Sequence, residues 1–241
     1  MMRAIALCLA LTALPGPSPQ AAMGCATDAM LVFDGSGSMA EVGHDPTAAT
    51  RISEARAALR QVMPEIAPFR RVGLLTYGAG GTHPCSGITR HFDPIPDAAE
   101  AVVERIEALI PGGLTPIAAS VAVAAEVLGY RTQPGIVVLV TDGNETCGGT
   151  PCALGASLAK EARSLTVHVI GFRVVHDPFS WNSPEAQVYD GQTVAKCLAD
   201  ATGGLFVSTE TVDELAAALR ETLGCPLIGN LGVIAPPPGR G

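Results

Sequence analysis

Along most of the chain, short apolar runs alternate with segments of helical periodicity. "AMLVF" (29–33) is followed by Ile52, Ala55, Leu59, Val62 and Ile66, spaced as one face of a helix, and then by "VGLLTYG" (72–78). That is strand, helix, strand. "ITRHF" (88–92) predicts a short edge strand. Asp97 to Ile110 predicts a helix with Ala98, Val102, Ile106 and Leu109 on one face. "LTPIAASVAVAAEVLG" (114–129) predicts another, with Ile117, Val121, Ala124 and Leu128 inward and Gly129 at its end. "GIVVLVTDGN" (135–144) is the most apolar strand and "LTVHVIGF" (165–172) the next, with a helix over Ala153 to Arg163 between them. "GGLFVST" (203–209) and a helix through Val212, Leu215, Leu219 and Leu223 close the pattern.

Strands that read as continuous apolar runs and alternate with helices are buried on both faces. Right-handed crossovers then predict an α/β fold: a doubly wound, mostly parallel central sheet with helices on both faces. The one short edge strand is expected to run antiparallel. No internal repeat is visible. "VVHDPFSWNSPEAQVYDG" (174–191) is the one long irregular insertion, and "PPPGRG" ends the chain.

Composition sharpens this picture. At 241 residues the chain has room for one sizeable domain. Its 48% hydrophobic content suits a buried parallel sheet, and a net charge of −8 offers no basic footprint for nucleic acid. Arg3, the apolar run Ala4 to Leu14 and the small residues of "PGPSPQAAMG" read as an export signal over residues 1–24, the run being too short to span a bilayer. Cleavage falls between Ala21 and Gly24. "AMGC" (22–25) only faintly resembles a lipoprotein box, because the usual leucine is missing. Removing Cys8 with the signal leaves Cys25, Cys85, Cys147, Cys152, Cys197 and Cys225, an even set that predicts three disulfides in an oxidising space, secreted or periplasmic. The domain then spans 25–226 and a short tail 227–241. Lysine occurs only at Lys160 and Lys196 while alanine and arginine are plentiful, a bias of GC-rich bacterial genomes.

The candidate chemistry lies where strands end. In a sheet of this kind, ligands bind outside the carboxyl ends of the strands. "DGSGS" puts Asp34, Ser36 and Ser38 at the end of the first strand, and "TDG" puts Asp142 at the end of the most buried one. Thr115, before Pro116, reads as the cap of a helix starting on the same edge. Two carboxylates and three hydroxyls are all oxygen donors, which favours a hard divalent cation: Mg²⁺, with Mn²⁺ or Ca²⁺ suited to the same donors. A six-coordinate ion held this way keeps a position for an outside ligand, naturally an Asp or Glu of a protein partner. Each piece alone reads as an ordinary turn or cap; their joint occurrence favours the ion.

Other chemistries fit less well. An EF-hand starting at Asp34 would have Met39 where glycine is needed and Asp45 where the bidentate glutamate belongs. A serine hydrolase using Ser36 or Ser38 lacks the nucleophile-elbow pattern. His168 falls in an apolar strand as a core residue, whereas His44, His83 and His176 fall in loops without a partner motif. "GAGG" (78–81) has no following Lys-Ser/Thr and is no phosphate loop. Trp181 and Tyr189 on the insertion are partner anchors or loop pins.

"DGSGS", "LTP" and "TDG", in this order on an alternating α/β chain, resemble the von Willebrand factor type A domain and its metal-ion-dependent adhesion site, over about Cys25 to Cys225. "ETCGGTPC" and "KCLADATGG" further resemble exported bacterial members. The resemblance implies that Ser36, Ser38 and Thr115 bind Mg²⁺ directly and that Asp34 and Asp142 do so directly or through water. It also implies a protein-binding module rather than an enzyme, expected here as a monomer. A secreted serine hydrolase and an envelope-complex subunit with a structural ion are the alternatives. Topology suggests the disulfides Cys25–Cys225, Cys147–Cys152 and Cys85–Cys197.

Overall fold

A computed structural model describes residues 27–42, 49–173 and 195–225. Six strands form one sheet: β1 (Ala29–Asp34), β2 (Val72–Tyr77), β3 (Thr89–Ile95), β4 (Pro134–Thr141), β5 (Ser164–Phe172) and β6 (Phe206–Thr209), in the order β3-β2-β1-β4-β5-β6. Only β3 runs antiparallel, against β2. The chain builds outward from β1 in one direction through β2 and β3, then returns to the other side of β1 with β4. The order therefore reverses between β1 and β4, and in sheets of this kind the carboxyl ends at such a reversal are where ligands bind.

Alternation along the strands divides the core in two. Leu31 and Phe33 of β1, Leu74 of β2 and Val138 and Val140 of β4 pack on α1 (Arg51–Ile66), α2 (Ala99–Ala108) and α6 (Val212–Thr222). Met30 and Val32, Leu75 and Tyr77, and Val137 and Leu139 point to the opposite face, toward α3 (Ile117–Val127), α4 (Pro151–Glu161) and α5 (Lys196–Thr202). Every residue of β1 and β2 is buried, as their unbroken apolar runs require.

Local signals set the helix ends. Thr50 caps α1 by accepting from the Ser53 N–H, and Thr211 with Glu214 forms a reciprocal capping box at α6. Helix α4 begins two residues before the expected Ala153, because Pro151 suits its first turn. The cap expected at Thr115 is absent: α3 begins at Ile117 with Pro116 as its cap residue, and Thr115 lies one residue further out.

The disulfides also depart from expectation. Cys85 pairs with Cys147, and Cys152 with Cys197. Starting α4 at Pro151 places Cys152 in its first turn, against the first turn of α5, and Gly155 permits close approach to the Cys197 carbonyl. Cys147 stays in the preceding loop, within reach of Cys85 rather than of its sequence neighbour. Cys225 is disulfide-bonded too, while its expected partner Cys25 lies outside the described residues. Arg70 draws this end together by donating to the carbonyls of Thr27 (2.7 Å) and Gly224 (3.0 Å).

Candidate metal centre

At the carboxyl end of the sheet, the polar residues of three loops meet. Parallel pairing of β1 with β4, Phe33 opposite Val140, delivers Asp34 and Asp142 to the same edge. After Asp34 the chain turns through a short 3₁₀ segment, Gly37–Ala40, which presents Ser36 and Ser38. A hydrogen-bonded string results. The Ser36 N–H donates to Asp34 Oδ1 (2.8 Å), the two serine hydroxyls lie 3.0 Å apart, and Ser38 donates to Asp142 Oδ1 (2.7 Å).

Thr115 reaches this edge on the segment between α2 and α3. The Gly112 N–H donates to the Gly35 carbonyl (2.9 Å) and the Gly37 N–H to the Gly113 carbonyl (3.2 Å), so this segment lies against the serine turn. Two glycines outside the "DGSGS" motif make the approach feasible. Gly78 and Gly113 both have positive φ, and a Cβ would collide with Ser36 backbone at the first and with the Gly78 carbonyl at the second. Thr115 is buried and exchanges hydrogen bonds with the third loop: its N–H donates to Thr146 Oγ1 (2.8 Å), and the Thr146 N–H returns one to its carbonyl (3.1 Å).

The two carboxylates have different surroundings. Asp34 is fully buried, and its Oδ2 accepts from the Tyr77 and Thr141 hydroxyls, each at 2.8 Å. Among the described residues Asp142 receives Ser38 on one oxygen and a long contact from Arg51 Nη1 on the other (3.4 Å). Loss of water and the nearby charge of Asp34 push the Asp142 carboxyl up to about 7, against the opposing pull of Ser38 and Arg51. The same burial and the charge of Asp34 raise the Tyr77 phenol.

Tyr77, Thr141, Arg51, Glu145 and Thr146 were not singled out from the sequence. Tyr77 and Thr141 end β2 and β4, so strand register alone places them on this edge. Arg51 stands at the first position of α1, where a cation opposes the helix dipole, and this was the available signal that it serves something else. It donates to the Ser38 carbonyl (2.8 Å) and to Glu41 (3.1 Å).

The donor set fits a divalent cation. Among the described residues no group of three or more His, Cys, Asp or Glu side chains forms a site, so hydroxyls would have to complete the shell around two carboxylates. Such a shell of neutral and anionic oxygens suits a hard ion. A dication would also relieve the repulsion that disfavours the Asp142 anion.

Among the described residues no histidine is paired with either serine: Ser36 and Ser38 hydrogen-bond each other and Asp142. His91 Nε2 pairs with Thr76 (2.9 Å), and His168 Nδ1 accepts the Leu205 N–H (3.0 Å). His83 lies exposed in the β2–β3 loop. His44, His176, Trp181 and Tyr189 lie outside the described residues.

Comparison with known proteins agrees with this architecture. Residues 29–145 match the sequence model of the von Willebrand factor type A domain. The uncharacterized protein YwmD of Bacillus subtilis (strain 168) is 26% identical over 217 residues, 85% of this chain and 88% of that one. Among solved structures, the pilus adhesin SpaC of Lactobacillus rhamnosus GG superposes with a TM-score of 0.60 at 15% identity; the match takes in 82% of this chain and 30% of the adhesin. Proximal thread matrix protein 1 of the mussel byssus, solved with zinc in its MIDAS motif, gives 0.55 at 17% identity over 83% of this chain and 46% of that one. At such identities the structural likeness is one of fold.

Proposed function

We propose that this chain, which belongs to the von Willebrand factor type A domain family, is a non-enzymatic module that captures a protein partner through a bound divalent cation. Ser36, Ser38 and Thr115 would hold the ion directly, with Asp34 and Asp142 acting directly or through water. When bound, the cation supplies a Lewis-acidic position for an Asp or Glu carboxylate of the partner. Mg²⁺ is the expected ion, and Mn²⁺ or Ca²⁺ suits the same oxygens.

The observation that carries this reading is the hydrogen-bonded string from Asp34 through Ser36 and Ser38 to Asp142, with the Thr115 segment laid against it. Asp142 stands 104 positions after Ser38, and both lie at the carboxyl edge where the strand order reverses. A binding role also accords with the likeness to a pilus adhesin. Three further expectations belong to the same proposal: residues 1–24 direct export and leave a domain of 25–226 with a tail of 227–241, the mature protein is a monomer, and its site is secreted or periplasmic. No helix among the described residues is long and apolar enough to cross a membrane.

The test is a pull-down from bacterial envelope extract with immobilised protein in Mg²⁺, then in EDTA, alongside Asp142→Asn. Retention of partners in Mg²⁺ alone, lost in the variant, is the expected outcome. Identical capture in all three conditions would remove the proposal.

A further inference from the structure

Thr115 sits on a segment that no helix or strand holds: the bonds of Gly112 and Gly113 to the serine turn anchor its middle, and residues 114–115 depend on other loops. Residues 109–116 have no regular structure and include two consecutive glycines, Gly112 and Gly113. Leu109 packs on the core at the start of the segment, but Ile110 and Leu114 face outward, at 82% and 40% exposure. The helix that follows is capped by Pro116, which makes no side-chain cap bond, so local structure does not fix the threonine.

Neighbouring loops do that instead. The Leu114 N–H donates to the Pro84 carbonyl (2.8 Å), and Thr115 exchanges two bonds with Thr146. Pro84 and Thr146 each directly precede a half-cystine, and those two cysteines, Cys85 and Cys147, are joined to each other. The covalent bond therefore closes a clasp around residues 114–115. Glu145 completes it from beneath. This carboxylate is 2% exposed; Oε2 accepts from the Ala118 N–H (2.9 Å), an otherwise unpaired donor of the first turn of α3, and Oε1 accepts from the Cys147 N–H (2.8 Å). One side chain thus ties the start of the helix after Thr115 to the half-cystine after Thr146.

We infer that the Cys85–Cys147 disulfide and Glu145 are positioning elements for the cation: by fixing Thr115 relative to Asp142 they set divalent-ion affinity. This rests on the metal-site reading above. A neutral hydroxyl is a weak ligand whose contribution depends on being held in place before the ion arrives, so loosening its supports reduces affinity even though no ligand is removed. The Cys152–Cys197 disulfide is the internal contrast. It joins the starts of α4 and α5 and clasps none of the residues that would hold the ion.

The test uses the folded mature chain as wild type, Cys85→Ser with Cys147→Ser, Cys152→Ser with Cys197→Ser, and Glu145→Gln. Mn²⁺ affinity is read by electron paramagnetic resonance, and amide hydrogen exchange over 112–118 is read in the metal-free protein. Loss of the first disulfide is expected to weaken Mn²⁺ binding about 10- to 100-fold and to speed exchange over 112–118. Loss of the second should lower the melting temperature and leave both readouts unchanged. Glu145→Gln keeps the shape but replaces one acceptor with a donor, should weaken Mn²⁺ binding in the same direction, and decides the matter if the first double variant does not fold. Unchanged affinity in Glu145→Gln and in the Cys85/Cys147 variant would overturn the inference, as would equal losses from the two disulfides. Failure of the wild type to bind Mn²⁺ would instead bring down the metal-site reading itself.

Discussion

Asp34 and Asp142 end neighbouring parallel strands and lie at the same edge, yet the protein treats them differently. Asp34 receives three donors, from the Ser36 backbone and the Tyr77 and Thr141 hydroxyls. Asp142 receives one short bond from Ser38 and one long contact from Arg51, and its carboxyl is pushed up to about 7 by burial and by Asp34. A buried carboxylate surrounded by protein donors acts as a strut. One that receives fewer and longer contacts from the described residues, beside a second negative charge, is suited to a cation. The difference gives Asp34 the larger share in building the loops, with its hold on the ion through water, and leaves Asp142 as the carboxylate that would face the ion.

Removing the strut should have the largest effect. Asp34→Ala strands the Tyr77 and Thr141 hydroxyls and the Ser36 N–H in a buried setting, and is expected to lower folding stability by roughly 3–5 kcal/mol, read from urea midpoints in EDTA. Loss of metal binding with the fold undisturbed is therefore not the expected phenotype of this variant. Asp142→Asn removes a charge that burial disfavours, so its metal-free midpoint should equal or exceed that of the wild type. Equal damage from the two substitutions would erase the distinction.

Metal addition probes the other carboxylate. If Asp142 faces the ion, Mg²⁺ at a hundred times its Kd should raise stability by about 2.7 kcal/mol, reversibly with EDTA. Calorimetric melting of Asp142→Asn should show no such rise. A Mg²⁺-dependent shift of wild-type size in that variant would mean that the ion sits elsewhere.

These contrasts also mark how far the sequence could be read. All six strands and both helical layers were legible, because unbroken apolar runs and helical periodicity report burial directly. The edge strand was legible as a short separate run, and it pairs antiparallel with β2 as expected. Asp34 and Asp142 were legible as neighbours because strand ends in a parallel sheet share an edge, but their unequal roles were not: those depend on Tyr77, Thr141 and Arg51, which strand register and helix packing bring in from elsewhere. The cysteine pairing failed for a similar reason. A four-residue gap between Cys147 and Cys152 suggests local closure, whereas Pro151 starts a helix there and turns the second cysteine toward α5. Thr115 was misplaced by a single residue, because Glu145, 30 positions downstream, satisfies the helix start in its stead.

Arg51 offers a smaller perturbation of the same contrast. Its partner Glu41 is 67% exposed, so that pair contributes little. The contacts to Ser38 and Asp142 lie deeper, and Arg51→Met should lower metal-free stability by about 2 kcal/mol by leaving buried acceptors without a donor. Saturating Mg²⁺ supplies positive charge at the same place and should narrow the gap to wild type in thermal melts. A gap indifferent to Mg²⁺ would show that Arg51 supports the loop rather than the carboxylate.

Ser38→Ala is the mildest change to the fold and the sharpest to the comparison. Ser38 is half-buried at the rim, and its hydroxyl bonds only Ser36 and Asp142 among the described residues, so its loss should lower metal-free stability by roughly 0.5–1 kcal/mol. Yet the hydroxyl lies between the two groups that would hold the ion, and without it the Mg²⁺-dependent rise in melting temperature should disappear. A substitution nearly silent in folding and complete in metal response would assign the serine to the ion. The reverse result, a large loss of stability with the Mg²⁺ response retained, would make Ser38 a strut like Asp34 and leave Asp142 without its nearest co-ligand.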